Sequence, residues 1–221
     1  MPKATHFHQE LATLRVKLLE MAAYTQRNLE TAVKALHQRD YELAQYVIDH
    51  DRDINMMECE IDDLSLKLLA LEQPMAVDLR TVVGIQRVSI NLERVGDEAV
   101  NIAEKAMFLA SRPPLPFSEK LTELAGVAGN MFAHALACFR DSNVETAFEV
   151  CRMDLKCNAL EVDLLKALMD YMSKESPAVE RAVHTILVSR ALERVGDLST
   201  NIAEAVVFIV DGQNIKHRFF E

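Results

Sequence analysis

Tryptophan is absent from this 221-residue chain, and glycine and proline number only six each. So few chain-breaking residues argue against the many short, turn-bounded strands of a sandwich or barrel. No basic run occurs, and 24 Lys and Arg stand against 34 Asp and Glu, a formal charge of −10. That balance makes a nucleic-acid backbone a poor partner and suits cations or basic protein surfaces. The four cysteines, Cys59, Cys138, Cys151 and Cys157, form no CxxC pair. They are expected as small buried hydrophobes in a reducing compartment. The start, MPKATHFHQELATLR, has no apolar signal core, and the run AVVFIV at 205–210 is far too short to span a bilayer. The expectation is a cytoplasmic protein that meets membranes only peripherally, through partners.

What the chain has in quantity is helical periodicity. Leu11, Leu14, Leu18 and Met21 mark one helix face. Polar turns at 37–42 and 140–145, prolines at Pro74 and Pro177, and the triple-proline stretch SRPPLPF at 111–117 separate the periodic segments. These breaks predict an all-α fold of six helices, near 6–37, 41–71, 76–110, 118–140, 144–173 and 178–210.

The helices fall into two sets of three. LERVGDEAVNIAE at 92–104 returns as LERVGDLSTNIAE at 192–204, identical at ten of thirteen positions. An offset of 103 pairs Ala32 with Ala135, Glu42 with Glu145, Asn55 with Asn158, Glu58 with Glu161 and Pro74 with Pro177. The predicted architecture is therefore two tandem homologous antiparallel three-helix bundles, residues 1–112 and 113–221.

Packing explains a repeat of apolar positions, but the charged ones repeat too. At about 100° per residue, Glu93, Asp97, Asn101 and Glu104 fall within roughly 80° of one another on the helix wheel. Glu193, Asp197, Asn201 and Glu204 do the same. Asp51, Asn55 and Glu58 form a strip on the second helix, reproduced by Asp154, Asn158 and Glu161. Like charges at i, i+4 oppose a helix by a few tenths of a kcal/mol per pair, so an ordinary solvated face explains the duplication poorly. Gly96 and Gly196 each cost about 1 kcal/mol relative to Ala within a helix, and each lies where a neighbouring helix or an ion would approach. Carboxylate and amide oxygens without repeated His or thiolates suit Mg, Mn or Fe, with Zn less favoured. Arg94 and Arg194 follow the first Glu of each strip and are placed to neutralise it as outer-shell groups.

The motifs of several enzymes are missing. No His has Glu three residues before it, which excludes the Glu-x-x-His pairs of di-iron oxidases. GxxxxGK[ST], GxSxG, HExxH and GxGxxG are absent as well. The paired E-R-(apolar)-G-D-x-x-x-N-I-A-E signatures, together with DRDINMMECEID at 51–62 and QPMAVDLR at 73–80, resemble the PhoU family of phosphate-signalling regulators. The resemblance covers almost the whole chain in register. It implies a non-enzymatic adaptor between a phosphate ABC transporter, at its ATPase subunit, and a membrane sensor histidine kinase. It further implies a homodimer that represses the phosphate-starvation response and restrains uptake.

Carried over position by position, the family's metal ligands fall on Glu93, Asp97, Glu193, Asp197, Asp51 and Asp154, with Asp78 as an additional member. This chain departs from the pattern at Asn55 and Asn158, where an acid is common, which lowers the negative charge of both sites. The second half also reads PAVER at 177–181 where the first has a DLR motif, so the two sites are expected to differ in occupancy. Competing classes are a carboxylate-rich metal buffer and a metal-dependent hydrolase.

Overall fold

The computed structural model describes residues 2–215; residue 1 and residues 216–221, which fall within the two predicted bundles, lie outside the described residues. Six long α-helices run α1 (Pro2–Gln38), α2 (Tyr41–Glu72), α3 (Ala76–Ala110), α4 (Ser118–Asp141), α5 (Val144–Lys174) and α6 (Val179–Asp211). The described residues contain no strand. A 3-10 turn, Ser176–Ala178, separates α5 from α6, and Pro177 lies inside it instead of simply ending a helix.

The turns repeat as faithfully as the helices. Arg39 and Ser142 both adopt a left-handed backbone, with φ of 56° and 52°. The next residue then caps the following helix: Asp40 accepts from the Leu43 amide, and Asn143 from the Thr146 amide, each at 3.1 Å. Each such cap contributes about 1 kcal/mol to its helix.

Helices α1–α3 form one three-helix bundle and α4–α6 the other. The most extensive helix pair in the molecule nonetheless joins the halves, α3 against α6. They run antiparallel: Phe108 stacks on His184 at one end, and the Arg87 guanidinium lies over the Phe208 ring at the other. A single apolar core therefore runs through both bundles, including Leu18, Ile54, Ile102, Phe132, Leu164 and Ile202. Arginines close the helix ends here, two of them across this joint. Arg15 donates to the carbonyls of Phe139 and Arg140 at the end of α4, and Arg80 to that of Ile209 in α6. Arg39 holds the carbonyls of Leu109, Ala110 and Arg112 where α3 runs into the inter-bundle loop. Last-turn carbonyls have no intrahelical donor, so these guanidinium groups satisfy acceptors that would otherwise need water. Among the described residues, no helix is long and apolar enough to cross a membrane.

Candidate functional site

Helices α2 and α3 lie antiparallel along their acidic strips, as do α5 and α6. Gly96 and Gly196 make the approach possible. A Cβ on Gly96 would sit 3.1 Å from Ile54 Cδ1 and 3.5 Å from Asp51 Oδ1; one on Gly196 would sit 3.1 Å from Cys157 Sγ. Both glycines are buried. Their missing side chains admit the neighbouring helix, and the carboxylates meet as a consequence.

In the first half this brings together Asp51, Asn55 and Glu58 from α2 with Glu93 and Asp97 from α3. Burial pushes the Asp51 carboxyl above its ordinary value, and the charge of Asp97 adds to that. Glu93 is raised by burial, then by Asp97, Glu58 and Asp51. In the second half Asp154, Asn158 and Glu161 meet Glu193 and Asp197. Burial is again the main cause of the upward shifts at Asp154, Glu193 and Asp197. Asp197 reinforces the shift at both Asp154 and Glu193, while Arg194 partly offsets it at Asp197. Shifts of this kind mean carboxylates held close together and partly out of water.

The hydrogen bonding inside each strip is duplicated. Asn55 Nδ2 donates to Asp51 Oδ2 at 3.2 Å, and Asn158 Nδ2 to Asp154 Oδ2 at 3.1 Å. The same amide therefore turns its own oxygen away, and each Asp keeps one oxygen free. Asp51 Oδ1, Asn55 Oδ1, Asp154 Oδ1, Asn158 Oδ1 and Glu161 Oε1 are buried without a hydrogen-bond partner. An unsatisfied buried polar atom costs roughly 1–3 kcal/mol. All five are acceptors, four of them at matching places in the two halves, and such a donor set fits an oxygen-ligated cation. Among the described residues, no three Asp, Glu, His or Cys side chains converge as they stand on one ion position. Two of the four free oxygens contributed by the Asp–Asn pairs are amide oxygens, which a count of acids and thiols leaves out.

The remaining predicted site residues go elsewhere. Asn101 donates to Glu98 at 3.0 Å and lies in a groove between the halves with Arg190 and Arg194. Glu104 pairs with the adjacent Lys105 at 2.9 Å. Asn201 and Glu204 line a matching groove with Arg87, Asn91 and Arg94. Arg94 and Arg194 thus each share a groove with polar residues of the opposite half. Arg94 also opposes the charges of Glu58 and Glu93, and Arg194 that of Asp197. Asp78 sits in the first turn of α3. At 1.5 Å rise per residue it lies about 22 Å along the helix from Glu93 and does not join the cluster.

Burial is as expected for three of the four cysteines. Cys59 is exposed; Cys138, Cys151 and Cys157 are buried. Cys157 packs in the core against Gly196, and burial first, then the charges of Asp154, Glu193, Asp197 and Glu161, push its thiol up to about 12. Its spacing was the available signal, since 154, 157, 158 and 161 share one helix face.

Comparison with known proteins follows the same duplication. The PhoU domain model matches twice, over residues 18–106 and 121–206. The chain belongs to the PhoU family. The phosphate-specific transport system accessory protein PhoU of Escherichia coli strain K12 is 31% identical over 211 residues, spanning 96% of this chain and 88% of that one. Its PhoU homolog from Pseudomonas putida is 34% identical over 96% of this chain and 83% of its own length. The crystal structure of PhoU from Pseudomonas aeruginosa superposes with a TM-score of 0.90 at 34% identity, covering 94% of this chain and all of that one. The PhoU fold is accordingly the fold of this protein.

Proposed function

We propose that this protein is a negative regulator of the phosphate-starvation response and of phosphate uptake. It acts as a non-enzymatic, metal-binding adaptor between the ATPase subunit of a phosphate ABC transporter and a membrane sensor histidine kinase. It works as a homodimer at the cytoplasmic face of the membrane, held there by its partners. The observation that carries this proposal is the match, over 96% of the chain, to relatives named as accessory proteins of phosphate-specific transport. The apolar side chains of Leu71, Met75 and Val77, 69%, 80% and 56% exposed around the α2–α3 turn, support an adaptor that docks through side-chain burial.

The cation part of the proposal is supported by the orphaned oxygens of both strips. Asp51, Asn55, Glu58, Glu93 and Asp97 would hold one ion, and Asp154, Asn158, Glu161, Glu193 and Asp197 another. The bound cation supplies positive charge that offsets carboxylates crowded between two helices. The chain's own contribution is to bring the strips together at Gly96 and Gly196 and to orient the Asp oxygens through Asn55 and Asn158.

Two measurements test the proposal separately. Deleting the gene should raise phosphate-starvation gene expression in phosphate-replete medium; unchanged expression, with no second copy of the gene to compensate, rejects the regulatory role. Elemental analysis of untagged protein purified without chelator should find metal in the wild type and little in a Glu93→Ala/Asp97→Ala/Glu193→Ala/Asp197→Ala variant. Equal metal in both rejects the site. Metal-dependent turnover of a phosphoester would favour a hydrolase, and many ions per chain a metal buffer.

A further inference from the structure

Two residues of the repeated signature, Asn201 and Glu204, lie off the acidic strips, in a groove of about 360 Å³ between α3 and α6. Arg87, Asn91 and Arg94 face them from α3, at i, i+4 and i+7 on one side of that helix. The offset of 100 that superposes the two signatures places Leu187 and Ala191 where α3 has Arg87 and Asn91. In the counterpart groove the polar donors already face carboxylates. Asn101 donates to Glu98 at 3.0 Å, Lys105 pairs with Glu104, and Arg190 and Arg194 oppose the charges of Glu193 and Glu98. The donors of the first groove are not spent in this way. The Arg87 guanidinium lies 4.3 Å over the Phe208 ring, a contact that fixes its position and consumes none of its N–H donors. Among the described residues neither the Arg87 nor the Arg94 side chain has a hydrogen bond or an ion pair, and the Asn201 amide has no hydrogen bond. Asn91 gives one N–H to the Arg87 carbonyl at 2.6 Å and keeps a second.

We infer that this groove binds inorganic phosphate, with Arg87 and Arg94 as cationic donors, Asn91 and Asn201 as neutral donors, and Glu204 as the acceptor for a proton that the anion carries. Phosphate bound here requires neither the adaptor role nor a cation in the strips. Guanidinium groups match oxyanions through paired N–H donors in one plane. Glu204 is the group that selects among oxyanions. Inorganic phosphate keeps at least one proton throughout the neutral range, sulfate has none, and a phosphate monoester loses its last one above about pH 6. A carboxylate accepts a hydrogen bond from the protonated oxygen and repels an oxyanion that has no proton to give. Glu204 has an interaction of its own, and its two oxygens accept more than one hydrogen bond. The anion bridges α3 and α6, the helices that join the two halves.

Calorimetric titration of the full chain with inorganic phosphate, at neutral pH with chelator present, tests this. The expected result is one phosphate per chain, with sulfate and glycerol 3-phosphate bound at least about tenfold more weakly, the scale of one charge-assisted hydrogen bond. This comparison uses the wild type and needs no variant. Arg87→Leu, which copies the residue of the second half, should weaken phosphate at least about tenfold. Arg87→Lys keeps the charge but loses the planar fork and should weaken it too. Glu204→Gln should bring the phosphate and sulfate affinities together, and Arg190→Ala, in the counterpart groove, should leave phosphate affinity unchanged. No phosphate bound at millimolar concentration, or sulfate or the monoester bound as tightly as phosphate, overturns the site. So does equal affinity in the wild type and Arg87→Leu, an unchanged preference in Glu204→Gln, or lost binding in Arg190→Ala. Any of these leaves the adaptor and cation proposals standing, because chelator keeps metal out of the measurement.

Discussion

Asn158 donates its amide to Asp154 across one helical turn, 3.1 Å from Nδ2 to Oδ2, and leaves one oxygen of each residue buried and unpaired. An amide at this position does two things that a carboxylate cannot do. It supplies a donor that fixes the Asp rotamer, and it removes a charge from a pair of helices already crowded with acids. Asn55 and Asn158 therefore lower the charge of each site while each keeps one oxygen unpaired.

The crowded acids make metal-free protein less stable at neutral pH than it would otherwise be. Asp154 has its folded-state pKa raised by burial. A raised carboxyl favours the protonated folded state, so the penalty is full above the folded pKa and is relieved as pH falls through it toward the unfolded value. With chelator present at pH 7, Asp154→Asn should raise the melting temperature by roughly 2–4 °C, the response of a chain this size to about 1 kcal/mol. The gain should shrink toward pH 4. Excess metal should reverse the order, since only the wild type gains binding energy. Calorimetry over the pH range checks all three.

His184 makes the opposite pH dependence. Burial lowers its pKa from 6.5, and Lys105 adds to that. A depressed histidine stabilises the neutral folded form, so its contribution is complete above the unfolded value and is lost as pH falls below about 6.5. His184 stacks on Phe108 at 3.7 Å, where α3 meets α6. A His184→Phe variant should keep the ring contact and lose less stability than wild type between pH 7 and 5, measured by melting temperature.

Glycines at two places should respond to alanine with opposite signs. On Gly84 a Cβ would overlap Ile209 Cγ1 and Cδ1 in α6, whereas on Gly126 it would meet nothing within 4 Å. Gly84→Ala should destabilise by about 1–3 kcal/mol, because overpacking between α3 and α6 exceeds the helix-propensity gain. Gly126→Ala should stabilise by about 0.5–1 kcal/mol. Denaturant midpoints at constant slope decide both.

The duplicated helix caps predict near-equal losses in the two halves. Asp40→Ala and Asn143→Ala should each cost about 1 kcal/mol, read from urea unfolding. A much larger loss at either site would show that the residue does more than satisfy one amide.

The helices and their duplication were legible because each is encoded locally. Pro74 follows the end of α2 and Pro177 lies in the 3-10 turn between α5 and α6, where ring and missing amide break the helical pattern. Leu14, Leu18 and their equivalents mark the buried faces by period alone. The facing of α2 by Asp51 and of α3 by Glu93 and Asp97 could be read the same way, since an acidic strip repeated in both helices points at a shared seam. Asn101 and Asn201 looked like members of that strip, but α3 and α6 cross there and carry them into grooves lined by the other half's arginines. Asp78 belonged to a motif close in sequence, and helix rise alone sets it apart.

The sequence by itself determined six amphipathic helices in two homologous sets, the turns between them, and which acids share a helix face. These follow from backbone sterics and a fixed helical period, which operate over a few residues. Tertiary structure decided that α3 and α6 fuse the bundles through one core, that Gly96 and Gly196 are covered by the neighbouring helix, and that Cys157 packs on Gly196 where Ile54 packs on Gly96 in the other half. Those outcomes depend on how helices from distant parts of the chain fit against one another, and the fit is set by side-chain volume at the contact, which no local period records.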